Sequence, residues 1–240
     1  MATWNPIKLT AMHYQHISLG ATIADVDGWQ RPVRYTAPAQ ELEAVKKAVG
    51  ICDISPVGKH SVQGNDIAAL IEKISPQVPS LETNKVAVVN LSGPDGVVID
   101  PVVVCRFCED EVFITSPPDN IALVAQTLEE NLAGCAHLVD MTSNFAAITV
   151  SGPSSSQMLS KLTDLNISPN AFPDLSCAQG MMAEVYVILL RWDRAGLPGY
   201  DIYVSREYGE YIWDAMLEAG HEYGIVPFGV ETLKQLSQGG

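Results

Sequence analysis

Short stretches of alternating hydrophobic and polar residues predict strands along most of the chain, and apolar residues three and four apart predict helices. One pair of such elements occurs twice. Strands over residues 59–62 and 147–150 each end in Val-x-Gly, and helical patterns follow over residues 67–74 and 155–162. The two copies lie 88 residues apart, which indicates that one half of the chain repeats the other.

A second pair of elements repeats at nearly the same offset. Residues 111–116 read as a strand before a helix over 122–132, and residues 200–205 read as a strand before a helix over 210–219. Each half therefore reads strand, helix, strands, helix. The pattern predicts an α+β fold in which helices pack on antiparallel sheets with pseudo-symmetry between the halves. The alternative is that the similarity of the two halves is only what any α+β chain shows, without an internal duplication.

The predicted organisation has three parts. Residues 1–50 form an N-terminal segment that completes the fold, residues 51–138 the first α+β half, and residues 139–240 the second. Within the first part, residues 41–49 carry a helical pattern that Gly50 ends. The polar, Pro-bearing stretch 168–180 is interpreted as a loop.

Composition narrows the class of protein. The chain has 240 residues and a net charge of −14, so its surface repels nucleic-acid phosphates and a nucleic-acid partner is not expected. No apolar stretch approaches the roughly 18 residues of a membrane helix. The N-terminus lacks the pattern of a signal peptide. The 5 cysteines are an odd number, which is typical of a reduced, cytoplasmic protein.

Several familiar chemical motifs are absent or incomplete. Cys105-x-x-Cys108 has no second ligand pair, so these cysteines are interpreted as structural, with a metal or redox site as the alternative. His13 and His16 share a helix face without a partner carboxylate in the same segment, which favours a helix-packing or surface role over metal binding. The serines of residues 151–156 read as a turn and helix start. Nucleotide-binding glycine loops are missing from the sequence.

The loop over residues 191–201 has more promising chemistry. Arg191 and Arg194 could hold a carboxylate, Trp192 could stack on a flat ring, and Asp201 could accept hydrogen bonds from a ring N–H and an amino group. This loop would suit a flat heterocycle with an acidic tail. A charged surface hairpin is the alternative interpretation of the same residues.

Five segments in order along the chain resemble one family, that of the glycine cleavage system T protein. Residues 52–59, C-D-I-S-P-V-G-K, resemble its F-D-V-S-H-M-G-K. Residues 27–35 resemble F-A-G-W-x-x-P-V-x-Y, and residues 16–21 resemble H-x-x-L-G-A. Residues 152–153 begin the helix of its Q-G-P, and residues 191–201 resemble R-T-G-Y-T-G-E-D-G-F-E. The matches cover nearly the whole chain.

The resemblance implies an internally duplicated, folate-binding α+β domain of the aminomethyltransferase type, without the C-terminal barrel of the T protein. It implies tetrahydrofolate as cofactor, no metal, and transfer of one-carbon units from a small-molecule substrate. It also implies candidate site residues. Asp100 is the candidate catalytic group, and the candidate cofactor-binding residues are Asp201, Arg194, Arg191, Ser116 and Tyr200.

The chain departs from the family where this chemistry would occur. In place of the family's G-G-I-I-D-D, residues 96–101 end in Asp100 and Pro101, so the second acid, which lies near the folate, is a proline. A tyrosine is replaced by Arg194, and the glutamate that grips the pterin by Asp201. We expect Pro101 to lie at the position of the family's transfer carboxylate. Because neighbouring strand residues face opposite ways, Asp100 would then point away unless a bulge re-aims it.

Three hypotheses follow from these observations. The first is a tetrahydrofolate-dependent transferase or demethylase of methyl or aminomethyl groups. The second is a family member that carries out a different reaction, with or without folate, on a small metabolite of a biosynthetic pathway. The third is a non-catalytic subunit of a larger complex. A homo-oligomer or a partner subunit is compatible with each of them.

Overall fold

The computed structural model describes residues 7–74, 81–92, 98–132 and 134–238. The strands are β1 Lys8–Leu9, β2 Thr22–Val26, β3 Trp29–Arg34, β4 Gly50–Asp53, β5 Gly58–Gln63, β6 Lys85–Ser92, β7 Val98–Cys108, β8 Glu111–Ser116, β9 His137–Asp140, β10 Phe145–Ser151, β11 Ser176–Met182, β12 Val185–Arg191, β13 Gly199–Ser205 and β14 Val226–Pro227. The helices are α1 His13–Ser18, α2 Pro38–Lys47, α3 Ile67–Ile74, α4 Ile121–Asn131, α5 Ser155–Leu159, α6 Gly209–Gly220 and α7 Val230–Gln238.

Two halves with the same element order form the body of the molecule. β4-β5-α3-β6-β7-β8-α4 is followed by β9-β10-α5-β11-β12-β13-α6, and β14 and α7 come after them. Their strands join into one sheet of order β14-β4-β10-β13-β12-β11-β6-β7-β8-β5-β9, beside a small N-terminal sheet of order β1-β3-β2. The prediction of a mixed α+β fold is confirmed, although the large sheet is continuous rather than split between the halves.

The strand that leads into each half pairs with the other half. β4 precedes β5 in the chain but pairs with β10, and β9 precedes β10 but pairs with β5. Strand pairing therefore crosses the predicted boundary at residues 138–139, and the two halves cannot separate without breaking the sheet. The three-part division of the chain stays a prediction.

The large sheet has two faces with different coverings. On the face that we call the helix face, α3 and α4 pack on the first half and α5 and α6 on the second. On the opposite face, which we call the inner face, side chains of the two halves contact each other. Phe113 of β8 and Tyr203 of β13, for example, meet edge to face with ring centroids 5.2 Å apart. Alternation along the strands thus places their buried side chains either in a helix-packed layer or in the interior between the halves.

Helix α3 illustrates how the sequence pattern produces this packing. Its four buried residues, Ile67, Leu70, Ile71 and Ile74, follow the spacing of a single helical stripe. Burial of such a side chain contributes roughly 1.5–3 kcal/mol. The stripe packs on alternate residues of β6, β7 and β8, so the helix pattern and the strand pattern stabilise each other.

Two predicted elements differ from the structure. The helix predicted over residues 155–162 ends as α5 at Leu159. Beyond it, the backbone N–H groups of Lys161 and Leu162 donate to the carbonyls of Met158 and Leu159, three residues back, as in a 3₁₀ turn rather than an α-helix. The loop predicted over residues 168–180 is wrong at its end, where β11 begins at Ser176. The polar stretch there is one side of a hairpin with β12.

Candidate functional site

Four polar and aromatic side chains meet on the inner face of the second half. Oδ2 of Asp201 accepts hydrogen bonds from Nη2 of Arg194 at 2.6 Å and from Nε1 of Trp192 at 2.8 Å. Nη1 of Arg194 donates to Oγ1 of Thr149 at 3.2 Å, and its guanidinium carbon lies 3.7 Å from the centroid of the Trp192 ring. We refer to these four residues as the Asp201 cluster.

A tight hairpin holds Arg194 in this position. Ala195 and Gly196 both have positive φ, 51° and 73°, as a two-residue hairpin turn requires, and Arg194 and Leu197 exchange backbone hydrogen bonds across it. Gly199 follows because a Cβ there would lie 2.5 Å from the carbonyl oxygen of Trp192 and 3.1 Å from the Arg194 guanidinium. The local sequence therefore fixes the direction of the arginine.

The two oxygens of the Asp201 carboxylate have different surroundings. The side chains of Asp201 and Arg194 are 4% and 7% exposed, so the ion pair is buried. Oδ2 has two donors, whereas Oδ1 is buried and receives no hydrogen bond from any of the described residues. A bare carboxylate oxygen in a protein interior is costly unless a donor reaches it, and it requires an explanation. Oδ1 can accept an N–H or O–H from a ligand.

The charge of Asp201 reaches both halves of the molecule. Burial raises the pKa of Tyr203 well above its usual range, and the Asp201 carboxylate adds to that shift. Burial likewise raises the pKa of the Cys105 thiol on β7 of the first half, with smaller contributions from Cys177 and Asp201. Asp201 lies two residues before Tyr203 on β13 and therefore on the same inner face.

Asp100 and Pro101 lie on opposite faces of β7. Asp100 shares the helix face, and Nδ2 of Asn120, at the start of α4, donates to its Oδ2 at 2.8 Å. Burial raises the pKa of Asp100, and the bond from Asn120 opposes that shift. Pro101 has the parity of Val103 and Cys105 and is exposed at the open end of the inner face. A register irregularity lies opposite residues 98–100, but it does not turn Asp100 inward.

The structure does not bring three other predicted residues to the Asp201 cluster. Arg191 lies on the helix face, where it pairs with Asp193 and donates to the carbonyl of Phe172 at 2.6 Å. Tyr200 is packed in the core beneath α5 and α6. Ser116 contacts the helix-face side of Gly58, where a Cβ would lie 2.4 Å from its Oγ. Each lies one residue out of phase with the inner face, so we leave all three out of the proposed site.

Sequence analysis does not single out two polar residues of the interior. Thr149 could have been found from alternation, because Ile148 and Val150 are apolar and face the other way. Lys59 is fully buried, and its Nζ donates to the carbonyls of Ser55, Val57 and Thr142 at 2.7, 3.0 and 3.0 Å. Burial lowers the pKa of Lys59 to about 7. With these three carbonyl acceptors, Lys59 connects the turn after β4 to the turn after β9.

No metal centre is formed by the described residues: none of their His, Cys, Asp and Glu side chains gather in a group of three suitable for a metal ion. Cys105 is buried on the inner face, whereas Cys108 donates to Asp110 Oδ1 at 2.9 Å at the other end of the Cys-x-x-Cys motif. His16 is buried, and its Nε2 lies close to Oδ2 of Asp53. Within the described ranges, no helix has the length and apolar character needed to cross a membrane.

Sequence comparison finds one family. A family model described as the GCVT N-terminal domain matches residues 12–238. An aminomethyltransferase of Streptomyces avermitilis is 30% identical over 228 residues, which are 94% of this chain and 61% of the relative. An aminomethyltransferase of Halothermothrix orenii is 27% identical over 225 residues, 93% of this chain and 62% of the relative. The chain thus spans a little over three fifths of the curated relatives it matches.

Comparison with solved structures supports the same fold. The glycine cleavage system aminomethyltransferase T of Bartonella henselae superposes with a TM-score of 0.84 at 16% identity, over 97% of this chain and 62% of that one. A chain of the heterotetrameric sarcosine oxidase of Corynebacterium sp. U-96 gives a TM-score of 0.60 at 17% identity, over 79% of this chain and 93% of that one. At such identities the likeness concerns the fold alone.

Proposed function

The chain belongs to the family of the GCVT N-terminal domain, and from that premise we propose that it is a one-carbon transferase that binds tetrahydrofolate on the inner face. The observation that carries this proposal is the Asp201 carboxylate, which is buried, fixed through one oxygen and bare at the other. The names of the relatives support a transferase. The position of Asp201 matches the acid that the family resemblance assigns to the pterin.

The residues of the cluster fit such a ligand. A pterin carries N–H groups on one edge, and Oδ1 of Asp201 is a buried acceptor without a donor among the described residues. Arg194 and Trp192 hold the carboxylate, and Thr149 in turn holds Arg194, so the carboxylate needs no rearrangement when a ligand arrives. Preorganised polar groups of this kind orient a ligand at little entropic cost.

The open end of the inner face would admit the rest of the molecule and the one-carbon donor. Pro101 and Asn90 pair across β6 and β7 and are both exposed there, and Cys105 lies four residues further in. Four residues of strand span about 13 Å, a length comparable to that of a pterin with its first attached ring. We propose that the ligand lies along this line between Asp201 and Pro101.

The mechanism that we propose is one of positioning. Tetrahydrofolate supplies the nitrogens that carry the one-carbon unit. The protein fixes the pterin edge at Asp201, and the apolar side chains of Val103, Cys105 and Phe113 exclude water from the interior. Proton transfer by Asp100 is not included, because its carboxylate is hydrogen-bonded to Asn120 on the helix face.

Ligand-induced stabilisation tests this proposal. Tetrahydrofolate at about 100 times its Kd should stabilise the protein by roughly 2.7 kcal/mol, which raises the Tm by about 5–10 °C. Asp201→Asn should lose most of this shift, because its one acceptor oxygen would be held by Arg194 and Trp192 and its NH2 would face the N–H donor of the ligand. Asp140→Asn is the matched control, since Asp140 is an exposed aspartate elsewhere in the sheet. An unchanged Tm of the native protein at millimolar tetrahydrofolate would contradict the proposal.

A second candidate function is supported by Pro101. With a proline on the inner face and Asp100 on the other, β7 presents no carboxylate to the interior over its described residues. A fold that keeps the ligand acceptor but lacks this acid could carry out a different, folate-independent reaction on another small metabolite. Stabilisation by other flat heterocycles, without any by tetrahydrofolate, would favour this candidate.

A further inference from the structure

We propose that Arg194 determines which ligands the Asp201 site accepts. By holding Oδ2 and cancelling the charge of Asp201, it selects a flat, uncharged heterocycle that donates to Oδ1 alone, and it rejects a heterocycle that is positively charged at the same edge. This inference rests on the proposed function, because it concerns the ligand of that same site.

The first step is the hydrogen-bonding capacity of the carboxylate. An ionised carboxylate oxygen accepts at about two lone-pair positions. Oδ2 of Asp201 already receives Arg194 at 2.6 Å and Trp192 at 2.8 Å, so both of its positions are filled. Only Oδ1 remains for a ligand. A ligand edge that could donate to both carboxylate oxygens of Asp201 can therefore donate only to Oδ1.

The second step is charge. The Arg194 guanidinium forms a buried ion pair with the Asp201 carboxylate, so the two charges offset each other. A cationic ligand at Oδ1 would gain little attraction from a carboxylate that is already neutralised, and it would lie within a few ångströms of the guanidinium. Buried like charges repel strongly because little water screens them. A neutral N–H donor suffers no such repulsion.

The third step is that Arg194 does not simply swing aside. Thr149 accepts from its other terminal nitrogen at 3.2 Å, and the indole of Trp192 stacks on its plane at 3.7 Å. The turn at Ala195 and Gly196 fixes the backbone from which it projects. Its side chain is only 7% exposed, so the guanidinium cannot turn into solvent without moving the residues around it. The selection is built into the resting structure.

The experiment compares two probes on matched variants. Calorimetric titration measures the Kd of a 2-amino-4-oxopteridine, which is neutral, and of the corresponding 2,4-diaminopteridine, which takes up a proton when it faces a carboxylate. The native protein should bind the neutral probe at least tenfold more tightly. Arg194→Met, which removes charge and donors but keeps a long side chain, should tighten binding of the diamino probe at least tenfold and reverse the preference.

Two further variants separate charge from hydrogen bonding. Arg194→Lys keeps the charge and should retain the preference for the neutral probe. Arg194→Gln keeps a donor without the charge and should bind both probes within about threefold of each other, which also covers the case in which Arg194→Met fails to fold. If the probe preference of Arg194→Gln equals that of the native protein, the inference about Arg194 is overturned while folate binding stands. If no variant and not even the native protein binds either probe, the proposed function fails along with it.

Discussion

Two turns, one at Asp53 and one at Asp140, form the same hydrogen bonds in the two halves of the molecule, yet one is buried and the other exposed. In each, Oδ1 of the aspartate accepts from the backbone N–H two residues on, Ser55 or Thr142, at 2.8 Å. The hydroxyl of that residue then accepts a backbone N–H from the opposite half. Ser55 accepts from Ala147 at 3.0 Å, and Thr142 accepts from Lys59 at 3.1 Å.

What differs is the covering by the N-terminal segment. Nε2 of His16 lies 2.9 Å from Oδ2 of Asp53, and the Tyr35 hydroxyl lies 2.8 Å from Nδ1 of the same imidazole. Both ring nitrogens of His16 therefore have a polar partner. Asp53 is 1% exposed as a result, whereas Asp140 remains open to solvent.

The comparison shows what the first 50 residues do. His16, Tyr35 and Asp53 belong to three separate segments that carry the family resemblance, and the structure brings them together in one buried network. Every oxygen of Asp53 has a donor, which is typical of a structural carboxylate. Asp201, with one bare oxygen, is the opposite case. Saturation of hydrogen bonds thus separates the acid that supports the fold from the acid that we propose to bind a ligand.

The largest expected effect is on Asp53. Asp53→Ala removes one partner of a buried network and leaves His16 and the Ser55 N–H without an acceptor, so we expect the free energy of unfolding to fall by about 3–5 kcal/mol. Asp140→Ala removes the same turn bond at an exposed site and should cost about 1 kcal/mol. Urea unfolding followed by circular dichroism measures both. Equal losses would show that the N-terminal covering contributes nothing.

The pH dependence of stability sharpens the same contrast. Burial alone would raise the pKa of Asp53, but hydrogen bonds from His16 and Ser55 outweigh it and lower the pKa from 3.8 to about 2. Because the folded-state pKa is depressed, this stabilisation is fully present above pH 3.8 and is lost as the pH falls through 2.

The size of this loss is roughly 2 kcal/mol, and its measurement is a series of unfolding curves in that window. The native protein and Asp53→Asn should converge in stability toward pH 2. A constant difference between them over the whole window would mean that the carboxylate charge of Asp53 is not what stabilises the network.

The next prediction concerns what the two turns share. Ser55→Ala and Thr142→Ala each leave a buried strand N–H without its side-chain acceptor, at Ala147 and at Lys59. Since the turns are equivalent in this respect, we expect similar losses of about 1–3 kcal/mol in urea unfolding, despite the unequal burial of the aspartates. A difference of more than about 2 kcal/mol between the variants would break the equivalence of the two turns.

Much of the fold could be predicted from the sequence, because strand and helix periodicity depend on neighbouring residues. The strand predicted over residues 111–116 is β8 as observed, and the repeat of Val62 and Val150 marks equivalent strands. The exchange of β4 and β9 between the halves could not be predicted, since pairing depends on contacts far apart in the chain.

The candidate site was harder, because a shift of one residue moves a strand side chain to the other face of the sheet. Asp201 and Arg194 come together as the loop chemistry suggested. Arg191 and Tyr200, which the same stretch of sequence offered as equals, lie on the helix face instead. The strand register and the side-chain hydrogen bonds of the structure distinguish Arg194 and Asp201 from Arg191 and Tyr200.

The smallest expected change in stability repeats this contrast on a single strand, at Asp100 and Pro101. Asp100 has a donor from Asn120 on the helix face, while Pro101 is exposed on the inner face, at the end where we propose that the one-carbon donor enters. Asp100→Asn keeps an acceptor for Asn120 and should change stability by less than about 1 kcal/mol. Pro101→Asp should cost a similar amount through the unfolded chain.

The two substitutions should nevertheless differ in activity. Pro101→Asp places a carboxylate on the inner face, where it can take up a proton or stabilise a cationic intermediate, so we expect faster tetrahydrofolate-linked transfer, by about tenfold or more. Asp100→Asn should leave the rate unchanged, because its carboxylate lies on the other side of the sheet. Single-turnover assays of one-carbon transfer measure both. If Asp100→Asn abolished transfer and Pro101→Asp had no effect, the reacting group would be Asp100, and the inner face at Pro101 would have no part in the chemistry.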